Sequence, residues 1–295
     1  MHIREKVSNE LKEFISLQNN LKNLILSVTI DSDLTNVVPA LTKHFNTLTK
    51  LHLGSKCIRC NELLSLVALF TNLQEIKISF SYSVINSQVF EKLQYVMFPK
   101  LQILDFPRQC PEPKYMMKFL EINGNNLSKL NMGIYRMSNA LVISIVKHCP
   151  NLKEFSNIFR NNELDVLRII LESCQYLESI EFWVGKLRYL NEKEALETVA
   201  KYSLKHFCKL KIFNFSNSEL LPEDLESFFI SWKNRPSKKS LTLIVNKYKI
   251  SLEENEKNME IIKKYKNLGI IKFETRTYKI DFVWDFFWGM SDIDE

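Results

Sequence analysis

A short apolar pattern recurs along this chain, and no other feature restricts its possible folds as tightly. Written as leucine, two residues, leucine, one residue, leucine, with related apolar residues allowed, it occurs at Leu21-Leu24-Leu26, Leu48-Leu51-Leu53, Leu73-Ile76-Ile78, Leu101-Leu104-Phe106 and Leu127-Leu130-Met132. It continues at Leu152-Phe155, Leu177-Ile180-Phe182, Leu210-Phe213-Phe215 and Leu268-Ile271-Phe273, with a weaker copy at Leu241-Leu243 whose first position is Lys238. The intervals between first positions are 27, 25, 28, 26, 25, 25, 33, 28 and 30 residues. A fixed period of this size means one supersecondary unit copied along the chain.

The rest of each unit is readable too. Upstream of the short motif lie segments with apolar residues at helical spacing and polar starts: NELLSLVALF at 61–70, NALVISIVKH at 139–148 and ELDVLRIILES at 163–173. An asparagine ahead of such a run suits a helix N-cap, and the 3.6-residue period suits a helix with one buried stripe. Three residues before the first leucine comes one core residue per repeat: Phe45, Phe70, Phe98, Cys149, Cys174 and Phe207. One residue earlier stand His44, His148 and His206, which the repeat explains without any catalytic role.

Each unit is therefore helix, turn and short parallel strand. Alone it cannot bury both its strand and its helix face, so neighbours stack. The expected fold is α/β: a leucine-rich-repeat solenoid, or horseshoe, with about ten parallel strands on the concave face and helices on the convex face. Helices are wider than the strand spacing of roughly 4.8 Å, which bends the strand side inward.

The units HCPNLKEF at 148–155 and SCQYLESI at 173–180 resemble the cysteine-containing leucine-rich repeats of F-box proteins. Units such as NNLKNLIL at 19–26 look like those of the expanded F-box-like families of mycorrhizal fungi. The resemblance covers roughly residues 10–275. It implies a non-catalytic scaffold for protein–protein interaction, possible membership of an SCF-type ubiquitin ligase system as the part that recognises substrate, and repeats that hold that substrate.

The family places an F-box, which holds Skp1, ahead of the repeats. Here the F-box is not evident, since the first repeat begins by Leu21 and residues 1–20 have room for one helix. The segment LPEDLESFF at 221–229 looks like the opening of an F-box, but the repeat register demands a helix of the solenoid there. The expected organisation is a capping helix over 1–20, the solenoid over 21–275 and an aromatic C-terminal cap over 276–295, around FVWDFFWG at 282–289. Skp1 binding by this chain alone is not expected.

Composition excludes several classes of activity. Six glycines, none in a phosphate-loop or dinucleotide fingerprint, leave no nucleotide cradle. The net charge of +6 over 295 residues is too mild to imply nucleic acid. No stretch approaches the apolar length of a membrane span. Cys57 and Cys60 form a CxxC, but a structural zinc needs two further ligands, and no second CxxC or HxxxH exists. Neither metal nor cofactor is expected. Residues 233–239, with Lys233, Arg235, Lys238 and Lys239, read as an exposed basic turn. The expected chain is monomeric, and cytoplasmic or nuclear.

Function then rests on the exposed strand positions, found two, four and six residues after each first leucine. The expected partner-binding set on the concave face is Lys50, His52, Glu75, Lys77, Asp105, Lys129, Asn131, Glu154, Glu181 and Trp183, and the same register puts Asn214 there. The partner is another protein. Trp183 is the expected anchor, an aromatic among polar residues. The alternative reading is an enzyme regulator of the GTPase-activating kind.

Overall fold

The computed structural model describes residues 5–28, 37–55, 67–80, 87–107, 110–133, 137–186, 188–247 and 252–277. Among the described residues ten strands are present: β1 (Asn23–Val28), β2 (Lys50–Ser55), β3 (Glu75–Phe80), β4 (Ile103–Asp105), β5 (Lys129–Asn131), β6 (Glu154–Ser156), β7 (Ser179–Val184), β8 (Lys209–Asn214), β9 (Leu241–Lys247) and β10 (Ile271–Thr277). Among the described residues the helices are α1 (Glu5–Leu17), α2 (Val38–Thr42), α3 (Ser87–Leu93), α4 (Pro113–Asn123), α5 (Asn139–His148), α6 (Leu164–Ser173), α7 (Glu192–Tyr202), α8 (Pro222–Lys233) and α9 (Glu256–Asn267).

The chain divides into two compact units, residues 1–135 with 143–149, and residues 136–142 with 150–295. In the first, β1 to β5 follow chain order, and the pairs from β1 to β5 are all parallel. In the second, β6 to β10 do the same. Each unit is thus a stack of leucine-rich-repeat-like modules, as the periodicity predicts.

The ladder starts at one repeat position, the residue after the first leucine. Its carbonyl accepts from the same position of the next repeat: Thr49 N–H donates to Lys22 O, Gln74 to Thr49 and Gln102 to Gln74 in the first unit, Glu178 to Lys153 and Cys208 to Glu178 in the second, while Cys208 O accepts from Thr242, one position further along. The preceding leucine turns inward each time. Leu48, Leu73, Leu101, Leu127, Leu152 and Leu177 are all buried, as are the strand leucines that follow them. Burying each such side chain is worth about 1.5–3 kcal/mol.

Helix boundaries follow local chemistry. The Asn191 side chain accepts from Glu194 N–H at 3.1 Å and caps α7, whose first turn is acidic and whose last carries Lys201. Asn255 caps α9 in the same way, accepting from the N–H groups of Lys257 and Asn258. Proline occupies the first turn of α4 and α8, where its missing N–H costs nothing. In the first unit, Asn123 spans adjacent repeats, its Oδ1 accepting from Phe98 N–H at 2.7 Å and its Nδ2 donating to Val96 O at 2.9 Å. Gly124 takes the position that elsewhere holds Phe98 or Cys149, because a Cβ there would lie 2.5 Å from His148 O.

Three sequence expectations need correction. The eighth repeat does not begin at Leu210: β8 pairs Ile180 with Leu210 and Phe182 with Ile212, so its first position is the buried Phe207. The same pairing carries the shift onward: Leu210 pairs with Leu243 and Leu243 with Phe273, so the next first positions fall at 240 and 270, and Lys238 and Leu268, expected there, are exposed. Asn214 consequently leaves the open face and is buried, its Nδ2 donating to Glu192 Oε1 at 3.2 Å. In the second repeat the core residue is His44, not Phe45, which is 47% exposed. His44 turns in because its Nε2 lies 3.1 Å from Ile15 O of α1, whose Leu11 and Ile15 are buried.

The third correction concerns the basic turn. Arg235 is buried, its Nη2 donating to Ser203 O and Leu204 O at 2.7 and 2.8 Å, while its guanidinium lies 3.9 Å from the Trp232 ring. It is a strut between repeats rather than part of a surface patch. The segment at 221–229 lies at the start of α8, the solenoid helix, with Leu225, Phe228 and Phe229 buried. Cys57, Cys60, most of the 61–70 helix and the 282–289 stretch lie outside the described residues.

Candidate functional site

Strand side chains that do not enter the helix-covered core project from the opposite side, the open face, since successive residues alternate sides. In parallel strands paired in register they form rows. In the first unit one row is Lys50, Glu75, Ile103 and Lys129, and the next is His52, Lys77, Asp105 and Asn131. In the second unit the rows are Glu154, Ser179, Lys209 and Thr242; then Ser156, Glu181, Lys211, Ile244 and Glu274; then Trp183, Phe213, Asn246 and Arg276.

The first-unit rows are stitched by charge across strands. Glu75 meets His52 Nε2 at 2.7 Å and Lys50 Nζ at 3.4 Å. Asp105 is held from two sides, by Lys77 Nζ at 2.9 Å and by Asn131 Nδ2, which donates at 2.8 Å. Asn131 is fixed in turn, its Oδ1 accepting from the N–H of Gly133, whose φ of 57° suits only a residue without Cβ strain. Burial pushes the Glu75 carboxyl up, but the hydrogen bond and charge of His52, followed by those of Lys50, outweigh it and leave the pKa below its usual range. Each half-exposed pair stabilises the fold by no more than about 1 kcal/mol; what the pairs supply is a fixed pattern of charge.

Lys129 is half-buried at the end of the first row, on β5. Glu154 is half-buried on β6. Glu181 Oε2 lies 3.4 Å from Lys211 Nζ. Trp183 is half-buried in a cluster of rings: Phe213 stacks on it at 4.3 Å, Phe215 lies 5.8 Å away and Tyr189 5.4 Å away. The structure therefore places all ten expected positions on open faces, in two chemically different settings: a charge lattice in the first unit, a lysine-flanked aromatic cluster in the second.

Sequence reading missed Lys211 and Phe213 on this face. The run KLKIFNF at 209–215 contains two overlapping apolar phases, and the wrong one matched the motif better.

Buried thiols do not join the site. Cys149 and Cys174 sit in the core at their repeat position, and burial pushes the Cys174 thiol up to about 11 and the Cys110 thiol well above its usual value. Among the described residues, no three His, Cys, Asp or Glu side chains are grouped to hold a metal ion, and no helix is long and apolar enough to cross a membrane.

No protein-family model and no curated protein matches the sequence. Among solved structures, a chain in the crystal structure of the Rad7 and Elc1 complex of yeast has a TM-score of 0.58 at 15% identity, over 84% of this chain and 68% of that one. At that identity the likeness is one of fold: a strand–helix repeat stack of the leucine-rich-repeat kind.

Proposed function

We propose that this chain is a protein-binding scaffold whose open strand face receives another protein. One observation carries the reading. Parallel sheets are almost always covered on both sides, yet among the described residues helices lie on one side only, and the other presents ordered rows of paired charges and an aromatic cluster. Such a face gains most from a partner that covers it. Charge pairs set which partner fits, and a stacked aromatic supplies an anchor.

The fold likeness to a chain from a two-protein complex supports the same reading at the level of architecture. The finer reading is that the bound protein is a substrate handed to a ubiquitin ligase, and it rests on the F-box-protein resemblance of the units at 148–155 and 173–180. The segment at 221–229, the part most like an F-box opening, commits Leu225, Phe228 and Phe229 to the repeat core and leaves Leu221 as its exposed apolar side chain, which is little to offer an adaptor. We therefore expect this chain not to hold Skp1 itself.

The test is a pair of charge reversals, Lys77→Glu and Lys211→Glu, compared with a reversal on the helix side, Glu172→Lys. Partner affinity is to fall with the first two and hold with the third. Equal binding by all three would remove the open face from consideration. Micromolar or tighter Skp1 binding by residues 1–295 would overturn the adaptor statement separately.

A further inference from the structure

In the second unit, the turns that lead from helix to strand gather positive charge with no negative charge set against it. Segments 201–209, 233–240 and 263–272, which carry the chain from the ends of α7, α8 and α9 towards β8, β9 and β10, hold ten lysines and one arginine and no carboxylate. Lys205, Lys233, Lys238, Lys239 and Lys266 are exposed. Among the described residues none of the five pairs with a carboxylate, whereas Lys186, Lys193, Lys211 and Lys264 of the same unit each meet one, on Glu219, Asp224, Glu181 and Glu226 in that order.

Helix chemistry accounts for part of this charge. Lys233 and Lys266 sit in the last turns of α8 and α9, where the negative end of the helix dipole favours a cation. That field falls off within the final turn. Lys205, Lys238 and Lys239 lie beyond the helix ends and so beyond its range. Like charges gathered in neighbouring turns repel one another, a cost that a bound anionic partner removes.

The turns also hold these lysines in a fixed arrangement. Counted back from the paired strand residues Lys209 and Thr242, Lys205 and Lys238 occupy the same position of successive repeats. The Ser237 hydroxyl donates to Lys205 O at 3.0 Å, and Trp232 Nε1–H donates to Lys239 O at 3.1 Å. Arg235 ties the same turn to Ser203 O and Leu204 O from within. The one guanidinium of the three segments is thereby buried, and the exposed cations are lysines.

We propose that this turn rim, a surface apart from the open strand face, binds an extended acidic segment of another protein, with Asp or Glu side chains laid against Lys205, Lys238 and Lys239. Spacing suits such a segment. Successive turns are separated by something between the strand spacing of roughly 4.8 Å and the helix spacing of about 8–10 Å, and alternate side chains of an extended chain stand about 6.8 Å apart. One carboxylate per turn is therefore within reach. Lysine is a point charge that a carboxylate meets without a set geometry, whereas phosphate partners favour the arginine fork, which this rim keeps inside.

The test measures binding of a fluorescein-labelled polyglutamate peptide to the purified full chain by fluorescence anisotropy. Lys238→Glu with Lys239→Glu is to weaken it about tenfold or more, and the milder Lys205→Gln with Lys238→Gln about threefold or more. Lys12→Glu with Lys92→Glu makes the same change of net charge at exposed positions of the first unit and is to leave affinity within about twofold. A thermal midpoint equal to wild type reports that each variant stays folded. Equal weakening by the two reversed pairs overturns the proposal, because net charge then governs binding, and a wild-type chain that ignores the peptide overturns it outright. Oligouridine or phosphatidylserine vesicles bound more tightly than the peptide, and lost with Lys238 and Lys239, overturn it in favour of nucleic acid or a membrane. None of these failures touches the reading of the open face as a partner surface, which Lys77→Glu and Lys211→Glu test independently.

Discussion

Trp183 on β7 and Phe213 on β8 stack nearly face to face, with ring centroids 4.3 Å apart and planes 20° from parallel. They are directly paired in the parallel register, so the stack is a property of the strand alignment and not of a loop. Stacking of this kind adds about 0.5–1.5 kcal/mol beyond burial itself. Phe213 is the more deeply buried of the two and Trp183 the more accessible, which separates their roles.

Phe213→Ala is accordingly expected to cost about 3–5 kcal/mol of folding stability, measured by chemical denaturation. Trp183→Ala is to cost about 1–3 kcal/mol of partner affinity, measured by titration. Unchanged partner affinity in the Trp183 variant would move the interface away from this end of the face.

The corrected register of the eighth repeat predicts a contrast between two phenylalanines. Phe207 is fully buried at the first position, whereas Phe215, the core residue under the original reading, is only half-buried. Phe207→Ala should cost about 3–5 kcal/mol and Phe215→Ala distinctly less, in the same denaturation experiment. Equal costs would return the register to Leu210.

Glu75 makes stability depend on acid. Its pKa is depressed in the folded state, so its contribution is complete above the unfolded-state pKa and disappears as pH falls through the folded one. Wild type is expected to exceed Glu75→Gln by about 0.5–1 kcal/mol near neutral pH. The gap should close below about pH 4. A gap that stays constant across that range would show the His52 and Lys50 contacts to be energetically idle.

Thiol reactivity should divide the described cysteines. Cys110, Cys149 and Cys174 are buried, and Cys208 is half-buried. Under native conditions at pH 8, a thiol reagent followed by peptide mass spectrometry is expected to modify Cys208 first and to leave the other three untouched on the same timescale. Early modification of Cys174 would contradict its place in the core.

The strands were legible because each repeat states its phase more than once. Leu177, Ile180 and Phe182 mark one side of β7, while Cys174 marks the turn before it, and the structure buries all four. Legibility failed where two phases competed, as at 209–215, and where one contact decided between adjacent residues, as when Ile15 O draws in His44 instead of Phe45. Arg235 was misread for a related reason. A charge in a turn looks solvated until the carbonyls of Ser203 and Leu204, about thirty residues earlier in the chain, are brought beside it. The candidate face was readable as a set of positions, but its pairing was not, because which carboxylate meets which lysine depends on register across strands and on rotamers.

The account stands most directly on where a partner touches the chain. A photoreactive benzophenone side chain can be placed by Lys77→p-benzoylphenylalanine and Glu181→p-benzoylphenylalanine on the open face, and at Glu121 and Glu172 on the helices. After irradiation in cells, protein adducts are predicted from the strand positions and none from the two helix positions. An adduct formed from Glu121 or Glu172 alone would contradict the claim that the open strand face is the binding surface.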